Sequence, residues 1–253
     1  MRVFAVSDIH VDYAENLQWI LALDKKEFAN DMLILAGDVT DKLALLEQVL
    51  ASLAACFKAV MFVPGNHDLW IQDNDFDCSL AKLDAINKLC ESCGVHHDVF
   101  ESAGISFVPL YSWYDFSFGE PDRRLRRAWR DFRACSWPEH LKDSRDVSEH
   151  FLNLNVPRLA TNNETVISYS HFLPRIDVMP KRIPIERRSI YPVLGSEALG
   201  KQVQLLNPAI HVYGHSHVNQ AIQLDDIEYV NNAFAYPSES RIARKQLHCI
   251  YQC

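Results

Sequence analysis

The stretch "IHVYGHSHVN", residues 210–219, decides how this chain is read. An apolar, β-branched run stops at Gly214, and His215 and His217 follow with one small residue between them. Side chains two apart leave a strand on the same face. Two imidazoles so placed suit a pair of metal ligands. They also suit an ordinary polar turn, and the remainder of the chain has to decide between the two.

The same design recurs. The short runs "RVFAVS", "MLILAG", "AVMFVP", "ISFVPLYS", "TVISYS" and "AIHVYG" are mostly unbroken, apolar and bounded by turn residues. Such runs are expected of strands buried on both faces. Between them lie helical patterns, among them "DKLALLEQVLASLAA" and "SLAKLDAINKLCESCG", the latter ending in a glycine stop. Alternating strand and helix predicts a layered α/β fold. Near the C-terminus "NQAIQL", "IEYVNN" and "QLHCIYQ" follow as consecutive strands, with a tight turn at Asp225-Asp226 that predicts antiparallel pairing.

Polar residues collect where the strands stop. Asp8 and His10 follow the first strand, Asp38 and Asp41 the second, Asn66, His67 and Asp68 the third, His171 a later one, and His215 and His217 the strand quoted above. In an α/β sheet, ligands bind outside the carboxyl ends of the strands. Three of these loops place Gly (Gly37, Gly65, Gly214) directly before the polar residue, where it allows a sharp turn. Asp, His and Asn supply oxygen and nitrogen without thiolate, a mixture suited to Mn, Fe or Zn. The groups suffice for two ions, and a two-metal centre with one shared carboxylate can drive attack on phosphorus.

Taken in order, Asp8-x-His10, Gly37-Asp38-x-x-Asp41, Gly65-Asn66-His67-Asp68, Ser170-His171 and Gly214-His215-x-His217 resemble the motifs of the calcineurin-like metallophosphoesterases. The resemblance spans residues 8–217, and "YVNNAFAYPSE" is similar to the strand and loop that follow the last motif. It implies a four-layer αββα sandwich of two mixed sheets and a dinuclear site for two divalent or trivalent ions (Mn, Fe or Zn). It implies Asp8, His10 and His217 on the first metal, Asn66, His171 and His215 on the second, and Asp38 between them. His67 would be the catalytic histidine, oriented by Asp41, and Asp68 a structural carboxylate. The implied chemistry is direct attack by a metal-bound hydroxide on a phosphomonoester or phosphodiester, with no covalent intermediate. A nuclease of the same family is the alternative activity, and a protein-interaction scaffold on this fold a more distant one.

The bulk properties narrow the partners. At 253 residues the chain can bury a sizeable core, and a single domain over 1–253 is expected. A net charge of −8 disfavours a general nucleic-acid coat, so a phosphorylated small molecule or nucleotide is the expected substrate and nucleic acid is possible but not favoured. No apolar stretch approaches a membrane span, so no membrane partner is expected. "MRVFAVSDIH" reads as a strand rather than a leader. Seven cysteines scattered from Cys56 to Cys253 fit reduced thiols and a cytoplasmic setting. Cys90 and Cys93 followed by His96 and His97 could form a zinc knot, but a helix end closed by Gly94 explains the same residues. His96, His97, His140, His150, His211 and His248 are expected in ordinary structural roles, with His211 inside a strand.

One segment stands apart. "GEPDRRLRRAWRDFRACSWP" is rich in arginine, and Leu125, Trp129 and Phe132 fall at i, i+4 and i+7, predicting a single amphipathic helix. It opens a helical insertion expected at about 113–162. Arg123, Arg127 and Arg130 there, with Arg182 in "PKRIPIERRS", are candidates to contact an anionic substrate. The sequence leaves the oligomeric state open.

Overall fold

The computed structural model describes residues 1–71, 76–161 and 163–252. Among the described residues ten strands form two mixed sheets. The first sheet holds β1 (Arg2–Val6), β2 (Met32–Leu35), β3 (Ala59–Phe62) and β10 (His248–Gln252), in the order β10-β1-β2-β3. The second holds β4 (Phe100–Ser102), β5 (Ile105–Pro109), β6 (Thr165–Tyr169), β7 (Ile210–Tyr213), β8 (Gln220–Leu224) and β9 (Ile227–Asn231), in the order β4-β5-β6-β7-β9-β8.

β1, β2 and β3 run parallel in direct register, with Val3 opposite Met32 and Met32 opposite Ala59. Parallel neighbours need crossovers, and α1 (Ala14–Leu21) and α2 (Leu43–Ala54) supply them, with α3 (Ser79–Cys93) alongside α2. Every residue of β2 and β3 is buried, which accounts for their unbroken apolar sequence. Full burial of one such Val, Leu or Ile contributes about 1.5–3 kcal/mol. On the second sheet β5, β6, β7 and β9 are also parallel. The arginine-rich stretch lies in the β5-to-β6 connection, with α4 (Arg123–Ala128), α5 (Asp131–Ala134) and α6 (Ser144–Asn155); α7 (Glu197–Leu206) follows later. Two mixed sheets flanked by helices are the α/β sandwich expected.

Two expectations need correction. The arginine-rich stretch is not one helix. It breaks at Trp129, whose backbone is extended (ψ 121°), and a second short helix starts at Asp131. Leu125 is buried but Phe132 is 36% exposed, so the continuous apolar stripe does not form. The break lets the Trp129 indole N–H donate to Asp131 Oδ2 at 2.7 Å, a bond that an uninterrupted helix would not favour. Secondly, β8 and β9 pair antiparallel through Asp225-Asp226 as expected, but "QLHCIYQ" leaves them and pairs antiparallel with β1 in the other sheet. The helix end at Cys90 closes at Gly94, as expected. Gly94 takes φ 70°, Val95 N–H donates to Cys90 O and Gly94 N–H to Glu91 O, a paired closure of the helix end.

Cys56, Cys78, Cys90, Cys93, Cys135 and Cys249 are free thiols, and Cys253 lies outside the described residues. No helix among the described residues is long and apolar enough to cross a membrane.

Candidate metal centre

The loops after β1, β2, β3, β6 and β7 all open at one end of the two sheets and meet there. Asp8, His10, Asp38, His215 and His217 all have positive φ, between 45° and 66°. A non-glycine residue in this region costs on the order of 1–3 kcal/mol, and such residues gather at functional sites. Gly37 has φ 82°, as a sharp turn requires. Gly65 serves a different purpose from the turning role expected of it. A Cβ there would stand 2.2 Å from Asp38 Oδ1 and 2.8 Å from Asp38 N, so the residue must be Gly for the second and third loops to touch.

Asp68 ties the same two loops together. Its Oδ2 accepts from Asp38 N and Gly65 N, each at 2.8 Å, and its Oδ1 from Val39 N at 2.9 Å and Thr40 N at 3.1 Å. Burial and the neighbouring Asp38 push its pKa up to about 7, while the amide donors favour the ionised form. This is the structural part expected of it.

Two groups of ligand atoms converge. In the first, His10 Nε2 lies 3.1 Å and Asp8 Oδ1 3.3 Å from His217 Nε2. In the second, His171 Nε2 lies 3.1 Å from Asn66 Oδ1, 3.2 Å from His215 Nδ1 and 3.4 Å from Asp38 Oδ2. Asp38 also groups with His10 and His67, so its carboxylate stands between the two sets. The seven residues expected as ligands therefore lie together at one end of the sheets.

The outward nitrogens define what faces inward. His171 Nδ1–H donates to Ala36 O at 2.9 Å, His215 Nε2–H to Val193 O at 3.1 Å, and His217 Nδ1–H to Glu239 Oε2 at 2.6 Å. Each ring thus turns a lone pair towards its cluster. Asn66 Nδ2 donates outward to Asp131 Oδ1 at 2.9 Å, leaving its oxygen facing inward. Lone pairs and carboxylates gathered this closely demand a positive charge among them. Protonation follows that demand. Burial opposes charge on His171 and His217, but Asp38 and Asp8 outweigh it and raise them to about 9 and about 10. Burial lowers His215 to about 3 and His10 well below its ordinary value. The same His and Asp groups are placed so that they could hold a metal ion.

His67 is half-buried beside these sets. Its ring stacks on Trp70 at 3.6 Å, meets His10 edge-on at 4.7 Å, and its Nε2 is 3.8 Å from Asp38 Oδ2. Burial lowers its pKa despite Asp38. Trp70 and Asp38 both contact His67. Asp41 lines the cavity nearby, with its backbone carbonyl accepting from the buried Lys82 at 2.6 Å.

A cavity of about 700 Å³ opens over both sets, walled by Tyr13, Trp70, Trp129 and Tyr236 among others. Arg130 lines it, with its guanidinium 4.3 Å from the Trp70 ring centre. Arg123, Arg127 and Arg182 do not line it. Sequence reasoning missed Asp131 and Glu239, the carboxylates behind Asn66 and His217. "YPSE" was legible as part of a family-like loop, but Glu239's partner was not, and nothing local marks Asp131.

This fold and this site define a metallophosphoesterase. The family model for calcineurin-like phosphoesterases matches residues 1–219, and the chain belongs to that family. It is an enzyme, a phosphoric ester hydrolase. Among individual proteins, it is 26% identical over 264 residues to the acyl-carrier-protein phosphodiesterase PptH of Mycobacterium tuberculosis, spanning 94% of this chain and 79% of that one. The crystal structure of that organism's phosphopantetheinyl hydrolase PptH superposes with a TM-score of 0.81 at 22% identity, covering 98% of this chain and 95% of that chain. TT1561 of Thermus thermophilus has the same fold at a TM-score of 0.57 and 15% identity, covering 92% and 89%.

Proposed function

We propose that the chain hydrolyses a phosphodiester in this cavity with two metal ions. Asp8, His10 and His217 would hold one, Asn66, His171 and His215 the other, and Asp38 would serve both. The carrying observation is the convergence of inward lone pairs whose outer nitrogens are already committed to Ala36, Val193 and Glu239. Nitrogen and oxygen ligands without thiolate fit Mn, Fe or Zn. When bound, the ions supply positive charge against the phosphoryl oxygens and lower the pKa of water.

The chain's own groups do the remainder. His67 faces the cavity from the Trp70 stack and protonates the departing oxygen, a step suited to imidazole. Arg130, held over Trp70 at the cavity wall, contacts a second anionic group of the substrate. A 700 Å³ cavity accommodates a diester with a long arm. Together with the likeness to PptH, this favours a carrier protein bearing a phosphopantetheine arm, or a nucleotide-like diester, over a simple monoester. The net charge of −8 weighs against a nuclease. The six cysteines among the described residues are free thiols, which supports a reducing, cytoplasmic setting.

The test compares an aryl phosphodiester, an aryl phosphomonoester and a phosphopantetheinylated carrier protein, each with added Mn, Fe or Zn. Metal-dependent hydrolysis with the diesters ahead is expected. A chain that binds no transition metal and hydrolyses none of the three overturns the reading.

A further inference from the structure

Asp131 lies on the arginine-rich segment, far in sequence from every strand-end loop, yet it is only 3% exposed. Its carboxylate takes three N–H donors. Oδ1 accepts from Asn66 Nδ2 at 2.9 Å and from the Trp70 indole at 2.7 Å, and Oδ2 accepts from the Trp129 indole at 2.7 Å. All three donors are neutral, and burial raises the pKa of the group although these bonds and the nearby His67 oppose it, which makes the buried carboxylate costly unless it has a task.

The consequence for Asn66 is specific. A carboxylate only accepts, so the amide end that faces it must be the NH₂. That fixes the other end, Oδ1, 3.1 Å from His171 Nε2. Turned over, the amide would set oxygen against oxygen at Asp131 and point two protons at His171. The other two donors reach the same site. Trp70 carries the stack under His67, and Trp129 meets His215 edge-on at 5.8 Å.

We infer that Asp131 is a positioning residue for the second metal site, presetting the Asn66 amide with its oxygen towards the ion and joining the arginine-rich segment to the centre. This rests on the reading of Asn66 as a ligand. It also explains why the segment breaks after α4: the chain must bring Trp129 and Asp131 to the same carboxylate-centred knot. A residue that merely clamps the fold would soften both metal sites together, whereas a preset amide acts on one.

The full chain, stripped of metal, is titrated calorimetrically with Mn²⁺ as wild type and as Asp131→Asn. Asn offers one acceptor and one donor, so it cannot satisfy all three N–H groups. We expect two binding events in the wild type, and in the variant a loss of roughly 10–100-fold at one of them with the other retained. Thermal unfolding of the metal-free variant reports whether it is folded. A folded variant with both affinities unchanged, or with both lowered equally, overturns the inference. A wild type that binds no Mn²⁺ overturns the proposed function instead. Should Asp131→Asn not fold, the metal-free wild type decides by NMR on ¹⁵N-asparagine-labelled protein. The Asn66 side-chain amide protons should exchange at least about 10-fold more slowly than exposed ones. Exchange at the exposed rate overturns the inference.

Discussion

Glu239 holds His217 by a hydrogen bond of 2.6 Å from Nδ1–H to Oε2, and His217 turns its other nitrogen towards Asp8 and His10. The same Oε2 accepts from Tyr236 N–H at 3.1 Å, so the loop after β9 is locked to the ring it orients. Glu239→Gln keeps the shape and removes the charge. Outer carboxylates of this kind are worth about 10–100-fold in metal affinity. We expect a loss of that size at one metal site only, read by calorimetric titration and by the metal concentration needed for half-maximal turnover. Unchanged affinity would remove Glu239 from the site.

In the proposed reaction His67 serves chemistry rather than metal binding. Its ring is placed by Trp70 and faces the cavity, and its backbone N–H donates to Asp38 Oδ1 at 2.9 Å. His67→Ala leaves that backbone bond intact. The expected result is two metals retained and kcat lowered by roughly 10²–10⁴, with KM changed little. His67 also stands with Asp38 and His10 in a group able to hold an ion. Loss of a metal from His67→Ala would therefore show that it is a ligand and that its assigned role is wrong.

Gly65 tests the joint between two loops. A Cβ at 2.2 Å from Asp38 Oδ1, with backbone on the other side, leaves no free rotation to relieve it. Gly65→Ala should destabilise the fold by at least about 1–3 kcal/mol, the range for overpacking, and displace the Asp38 carboxylate. Thermal unfolding and metal content measure the two effects. A variant with wild-type stability and full metal content would mean the loops part without cost.

The centre was legible because its chemistry sits in short motifs at the ends of apolar strands, and strands are local signals. Asp8, His10, Asp38, Asn66, His171, His215 and His217 each follow such a run, which marked them as candidates, and the family resemblance of their motifs supplied the grouping. The residues behind them were not legible. Asp131 reaches Asn66 across 65 positions, and Glu239 reaches His217 across 22, through contacts that exist only once the sheets are packed. Helical periodicity misled at Trp129, where a local bond to Asp131, itself tied to the distant Asn66 and Trp70, outweighed a spacing that suited one helix. The placement of β10 beside β1 was equally invisible, since a strand's alternation does not name its sheet.

His211 supplies a pH test away from the ligands. It is fully buried in β7, between Ser168 Oγ at 2.7 Å from Nδ1 and Ser170 Oγ at 3.1 Å from Nε2. Ser170 O–H already donates to Phe172 O, so Ser170 accepts from Nε2–H and Nδ1 accepts from Ser168. The neutral ring is satisfied, and a second proton would turn the Ser168 hydroxyl and place a charge in the buried strand. Burial accordingly lowers its pKa from 6.5 to about 3. Between those two values the unfolded chain binds a proton that the folded chain refuses. The contribution of His211 to stability is therefore full above 6.5 and falls as pH falls towards 3, by about 1.4 kcal/mol per pH unit. His211→Gln retains one donor and one acceptor and does not titrate. Chemical unfolding of wild type and variant between pH 7 and pH 5 should give curves that converge on acidification by about 2 kcal/mol. The groups common to both proteins cancel in the difference. Parallel curves would show that His211 takes up its proton in the folded state, and that the serine pair does not hold it neutral.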